Sequence, residues 1–98
     1  MREAETEARL RRAIQHAGGL CLKFTSPGYS GVPDRLILMP GGRAYFAELK
    51  APGKHERARQ EYVQRILRAR GFTVFSSVDS AEKIAEILQA IIEEGQEK

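Results

Sequence analysis

The sequence predicts a three-layer α/β/α domain around a mixed four-stranded sheet with a central hairpin, in the order helix, three strands, helix, strand, helix. Three observations carry this. Arg35–Met39 (RLILM) and Arg43–Leu49 (RAYFAEL) are strand-like runs joined by the turn residues Pro40, Gly41 and Gly42. Both runs are apolar on both faces, with Leu36, Leu38 and Phe46 on one and Ile37, Tyr45, Ala47 and Leu49 on the other, so the sheet must be covered on both sides. Three flanking segments carry apolar residues at helical spacing.

A chain of 98 residues reads as one domain, 1–98, with a modest core that a second copy would help to complete. Composition, 42% hydrophobic and 30% charged, is that of an ordinary globular protein. A net charge of +3 and a pI near 9.3 permit a nucleic-acid partner without demanding one. Cys21 is the single cysteine, which excludes an intrachain disulfide and a cysteine zinc cluster, and it reads as a small buried strand residue. The N-terminus has no apolar signal core and no run reaches membrane-spanning length, so a cytoplasmic protein is expected. Glu94 to Lys98 read as a frayed end.

The first helix is expected over about Glu3–Ala17, with the stripe Leu10, Ala13, Ile14 and Ala17 and a stop at Gly18-Gly19. Glu3 and Glu5 suit the positive end of the helix dipole. Glu7 extends the apolar stripe and so points a carboxylate along the buried face. Leu20–Thr25 is the first strand, and the turn formers of Ser26–Gly31 deliver the chain to Pro33-Asp34 at the hairpin. After the loop Ala51–Lys54, a second helix is expected over about Glu56–Arg70, with Ala58, Tyr62, Val63, Ile66 and Leu67 inward and Gly71 as its stop. Phe72–Ser76 is the last strand, reached by a crossover that makes it parallel. Asp79 and Glu82 resemble a capping box for a last helix over about Ser80–Glu93, burying Ala81, Ile84, Ala85, Leu88, Ile91 and Ile92.

The hairpin register carries the chemistry. With Pro40, Gly41 and Gly42 as a three-residue loop, Met39 faces Arg43, Leu36 faces Phe46, and Asp34 faces Glu48. Opposed residues on one sheet face have Cβ atoms about 4.5–5.5 Å apart, and Lys50 shares the face of Glu48. Two opposed carboxylates repel, unless a hard divalent cation such as Mg²⁺ turns the repulsion into a site. Lys50 beside them can orient a water or offset charge developing on a phosphate. The bland alternative is a surface hairpin with a Glu–Lys pair. Gln60 lies in the first turns of the second helix, either near Lys50 or as a solvated flank. Lys54, Arg57 and Arg59, with His55, form a basic cluster suited to phosphates, or simply a solvated face. Lys23 and Tyr29 are candidates for contacts with phosphate and with a sugar or base, against the plainer reading of a strand charge and a packed loop aromatic.

Gly31-Val32-Pro33-Asp34-Arg35, Glu48-Leu49-Lys50-Ala51-Pro52-Gly53 and Gln60 resemble the motifs of the virus-type replication-repair nuclease (VRR-NUC) domains, in the PD-(D/E)xK superfamily with its restriction-endonuclease-like fold. The resemblance runs from the first helix to Phe75 and matches the stand-alone phage and bacterial members. It implies Asp34 and Glu48 as metal ligands, Lys50 as the catalytic lysine, and Glu7, or else Glu3, with Gln60 as further site residues. Mg²⁺, with Mn²⁺ as a substitute, is the implied cofactor. The implied reaction is hydrolysis of DNA phosphodiesters, with the metal held by Asp34, Glu48 and the Leu49 carbonyl, and Glu7 holding the metal's water shell or a second metal. Lys23, Tyr29, Arg35, Lys54 and Arg57 then hold the DNA. Stand-alone relatives tend to act as homodimers on branched DNA, so nicking of four-way (Holliday) junctions is expected. The alternatives are a monomeric flap or duplex nuclease and a non-catalytic DNA-binding module.

Overall fold

A computed structural model describes residues 1–96. The elements are α1 (Glu3–His16), β1 (Leu20–Lys23), β2 (Arg35–Met39), β3 (Arg43–Leu49), α2 (Ala58–Ala69), β4 (Thr73–Val78) and α3 (Ala81–Gln96). The sheet order is β1-β2-β3-β4, with the first two pairings antiparallel and β3–β4 parallel. The expected fold class and order therefore hold.

The hairpin register is the one the loop length predicts. Met39 pairs with Arg43, Leu38 with Ala44, Leu36 with Phe46 and Arg35 with Ala47. Gly41 and Gly42 take φ of 86° and 73°, left-handed values that a residue with a side chain rarely adopts. The pairing carries on across the sheet, so Leu22, Leu36, Phe46 and Val74 form one cross-strand row on one face.

The other face carries the core. Ile37, Met39, Tyr45, Ala47 and Leu49 pack with Leu10 and Ile14 of α1 and Ile84, Ile87 and Ile91 of α3. Fully burying each large aliphatic side chain contributes about 1.5–3 kcal/mol. Cys21 belongs to this core as a buried free thiol, and burial pushes its pKa up. The row face is covered by α2, which packs on the β4 side of the sheet. Phe46 there packs between Phe24 and Phe72, at centroid distances of 5.7 and 5.8 Å.

Several details depart from the sequence expectations. α2 starts at Ala58, and Ala58 and Tyr62 face solvent while Val63 and Gln64 are buried, because the helix is rotated to seat Val63 against the Gly31 loop. On α3, Ile87 is buried, whereas Ala81, Ala85 and Ile92 are exposed: one helix flank cannot reach the sheet. Ser80 rather than Asp79 caps α3, its Oγ accepting the Lys83 N–H at 3.2 Å. The C-terminal end is tied down further than expected. Tyr45 donates its hydroxyl proton to Glu94 at 2.7 Å, Arg43 donates to the Ile91 carbonyl at 2.7 Å, and the helix runs to Gln96. The rest of the expected frayed end, Glu97 and Lys98, lies outside the described residues. Among the described residues, no helix is long and apolar enough to cross a membrane.

Candidate active site

The site forms where the loop after β1 meets the end of β3 and the start of α2. Gly31 makes this junction close. Its φ is 91°, and a Cβ there would lie 2.8 Å from Arg59 Cγ and 3.0 Å from the Arg59 carbonyl oxygen. A glycine is therefore required twice over, by backbone conformation and by space. Pro33 is fully buried behind it, and the Asp34 carbonyl accepts the Phe24 N–H at 2.7 Å, which aligns β2 with β1.

Asp34 reaches across to β3, where its Oδ2 accepts the Leu49 N–H at 2.9 Å. Glu48 lies on the same face and is only 2% exposed. Its Oε2 accepts from Gln60 Nε2 at 3.0 Å and pairs with Lys50 Nζ at 3.2 Å. Its Oε1 is buried with no hydrogen-bond partner among the described residues. Burial first, and the neighbouring Asp34 charge second, push the Glu48 pKa up to about 7, against the pull of Lys50.

Gln60 joins the pieces. Its Oε1 accepts from Lys50 Nζ and from the Arg57 N–H, both at 3.0 Å, while Nε2 serves Glu48. The side chain thus caps α2 and spans the lysine and the carboxylate at once. Glu56, just before α2, holds the same loop to β4. It accepts from the Ser77 hydroxyl at 2.6 Å and the Ser77 N–H at 2.9 Å. Burial opposes its charge, but the hydrogen bonds from Ser77 and Gln64 outweigh it, and its pKa falls below the usual range. Ser77 is the only non-glycine with positive φ among the described residues, at 54°, and lies beside the register shift between Ala47 and Leu49 in the β3–β4 ladder.

An open pocket of about 550 Å³ lies in front of Asp34, lined among others by Glu3, Glu7, Lys23, Arg35 and Leu49. Glu7 reaches it from α1 as its phase predicts, and so does Glu3. Glu7, however, is ion-paired to Arg35 and Arg11, at 3.4 Å each, and no group of three metal-ligating side chains exists among the described residues. The carboxylates brought together are Asp34 and Glu48. An orphaned, buried carboxylate oxygen beside a second carboxylate fits a hard divalent cation, which commonly takes one or two carboxylates and keeps waters. Lys23 and Arg35 line the same pocket, whereas Lys54 and Arg57 are exposed on the loop leading to α2. Tyr29 sits apart from the pocket, against Arg59. Tyr62, expected inward on α2, and Glu56, expected only as the start of that helix, carry no spacing that marks them as site residues.

No family model matches the sequence. The "Putative nuclease p44" of Acyrthosiphon pisum secondary endosymbiont phage 1 is 46% identical over 54 residues, which is 55% of this chain and 58% of that protein, so the match spans little more than half of either. A solved structure of a VRR_NUC domain superposes with a TM-score of 0.82 and 26% identity, covering 89% of this chain and 94% of that one. The chain thus shares its fold, over nearly its whole length, with a solved VRR_NUC domain, and part of its sequence is similar to a phage nuclease.

Proposed function

We propose that the chain is a metal-dependent deoxyribonuclease that hydrolyses phosphodiesters. The observation that carries this is Glu48: a buried carboxylate with a free oxygen, next to Asp34 and wired to Lys50 through Gln60. A buried carboxylate oxygen calls for a partner, and with Asp34 beside it a divalent cation is the partner that fits. Asp34, Glu48 and the Leu49 carbonyl would hold Mg²⁺, or Mn²⁺ in its place, with Glu7 on the far wall of the pocket. When bound, the ion supplies Lewis-acid charge at the phosphate and makes a water easier to deprotonate.

The protein's own groups do the rest. Lys50, held by Gln60, presents ammonium protons where charge builds on a phosphate oxygen or orients the attacking water. Arg35 and Lys23 draw the backbone into the pocket, and Lys54 and Arg57 extend the basic surface beside it, with affinity falling as salt rises. Tyr29 adds a contact to a sugar or base.

Branched DNA, with paired nicks in a four-way junction by a homodimer, is the finer part of the reading. Leu20 and Leu22 support self-association: they are 55% and 43% exposed on the edge strand β1, on a face that α2 leaves open. Such an enzyme would act in the cytoplasm of a bacterial or phage-infected cell. The test is cleavage of labelled four-way junction, flap and linear duplex with Mg²⁺, Mn²⁺ or EDTA, for the wild type and Lys50→Ala, beside a solution mass. Symmetric, metal-dependent nicks in the junction by a dimer support the full reading. Equal cutting of all substrates leaves a less specific nuclease, and DNA binding without cutting leaves an accessory module.

A further inference from the structure

Beside the active site lies a stack of side chains that the catalytic machinery does not use. The guanidinium carbon of Arg59 lies 4.8 Å from the ring centroid of Tyr29 and 5.2 Å from that of Tyr62. Its Nε donates to the Ser30 carbonyl at 2.9 Å, which holds the group in place, while its two terminal nitrogens have no partner among the described residues. The rings remain 42% and 46% exposed, and neither hydroxyl is hydrogen-bonded among the described residues. Two exposed cation–π contacts and one hydrogen bond do little more than offset the cost of ordering an arginine side chain. The fold thus gains little from holding a guanidinium between two half-bare aromatic rings.

The position relates the stack to the site. Arg59 precedes Gln60 on α2, and Gly31 packs on the Arg59 stem. Asp34 follows Gly31 by three chain steps, a reach of at most about 11 Å. A strand whose phosphate rests at Asp34 would bring bases a few nucleotides away toward the rings. Aromatic faces stack any base, but in continuous duplex each base is already stacked on its neighbours. Only an unpaired base can occupy them.

We infer that Tyr29, Arg59 and Tyr62 form a stacking platform for an unpaired nucleobase within a few nucleotides of the phosphate held at Asp34. The free guanidinium N–H groups take the phosphate flanking that base. This rests on the nuclease reading and deepens it: the platform selects DNA with unpaired nucleotides beside the cut, as at a flap, gap or branch, over continuous duplex.

The test is binding in EDTA, so that no cleavage is needed, to a flap duplex bearing 2-aminopurine at each of the first few unpaired positions. The expected result is quenching at one position by the wild type and by Y62F, and its loss in Y62A and Y29A. Flap affinity in those two variants should fall about tenfold, while affinity for continuous duplex changes less. Y62L keeps apolar bulk without a flat ring and should behave as Y62A, which separates stacking from a folding defect. Quenching that survives Y62A and Y62L, or equal loss of affinity for flap and duplex, overturns the platform. A wild type that quenches but never cuts with Mg²⁺ or Mn²⁺ keeps the platform and overturns the nuclease reading instead.

Discussion

The two faces of the sheet do different things. Under α1 and α3, Ile37, Met39, Tyr45, Ala47 and Leu49 are buried among aliphatic side chains of both helices. Under α2, the facing residues include Leu36, Leu38, Phe46, Glu48 and Val74, of which only Glu48 and Val74 are buried, and one helix covers them incompletely. The first face can hold the fold together because it is dry and apolar. The second can host a buried carboxylate because polar side chains of α2 and the sheet rim are at hand to satisfy it, as Gln60 and Lys50 do. Stability and chemistry are thus segregated by face, although they share the same strands.

That division can be broken most severely at the site itself. Lys50→Ala and Asp34→Ala should each lower cleavage by on the order of 10³-fold, with an unchanged far-ultraviolet spectrum. An active Lys50→Ala protein would remove the site from this face. Next comes the core face: Ile37→Ala should cost about 2–5 kcal/mol in urea unfolding, because its side chain is fully buried. By contrast Leu22→Ser should leave monomer stability within about 1 kcal/mol and weaken any self-association.

Glu48→Gln sharpens the comparison further. The folded protein holds the Glu48 proton more tightly than the unfolded chain, whose value is near 4.5. Between about pH 4.5 and 7 the folded state therefore binds more protons, and stability falls as pH rises. Removing the charge should stabilise the metal-free protein at pH 8 by up to about 3 kcal/mol, while abolishing cleavage. At pH 4 the difference should vanish; thermal melts in EDTA at both pH values check it. Mildest of the changes at the site is Gln60→Ala. It withdraws one partner each from Lys50 and Glu48, and should lower the rate about tenfold and stability by about 1–2 kcal/mol. A wild-type rate would mean that Lys50 needs no support.

Much of this was legible in the chain. Loop length and side-chain alternation set the hairpin register, and with it the shared face of Asp34 and Glu48. The phase of Glu7 along its stripe brought it to the pocket, yet periodicity carries no information about the arginines that engage it there. Tyr62 shows the limit more sharply. Its spacing fits an inward stripe, but the rotation of α2 is decided by where Val63 and the Gly31 loop meet, and that leaves Tyr62 outside. Glu56 and Ser77 are likewise separated by a whole helix and strand before they meet.

What the sequence determined by itself is local: which segments are helix and strand, how the hairpin pairs, and which carboxylates can share a face, because these follow from periods of a few residues and from turn geometry. Only the tertiary structure decided that Glu48 Oε1 is orphaned, that Gln60 spans Lys50 and Glu48, and that two tyrosines share one guanidinium. Each depends on how α2 docks on the sheet. Docking is a balance of packing and desolvation among residues far apart in the chain, and no local pattern encodes it.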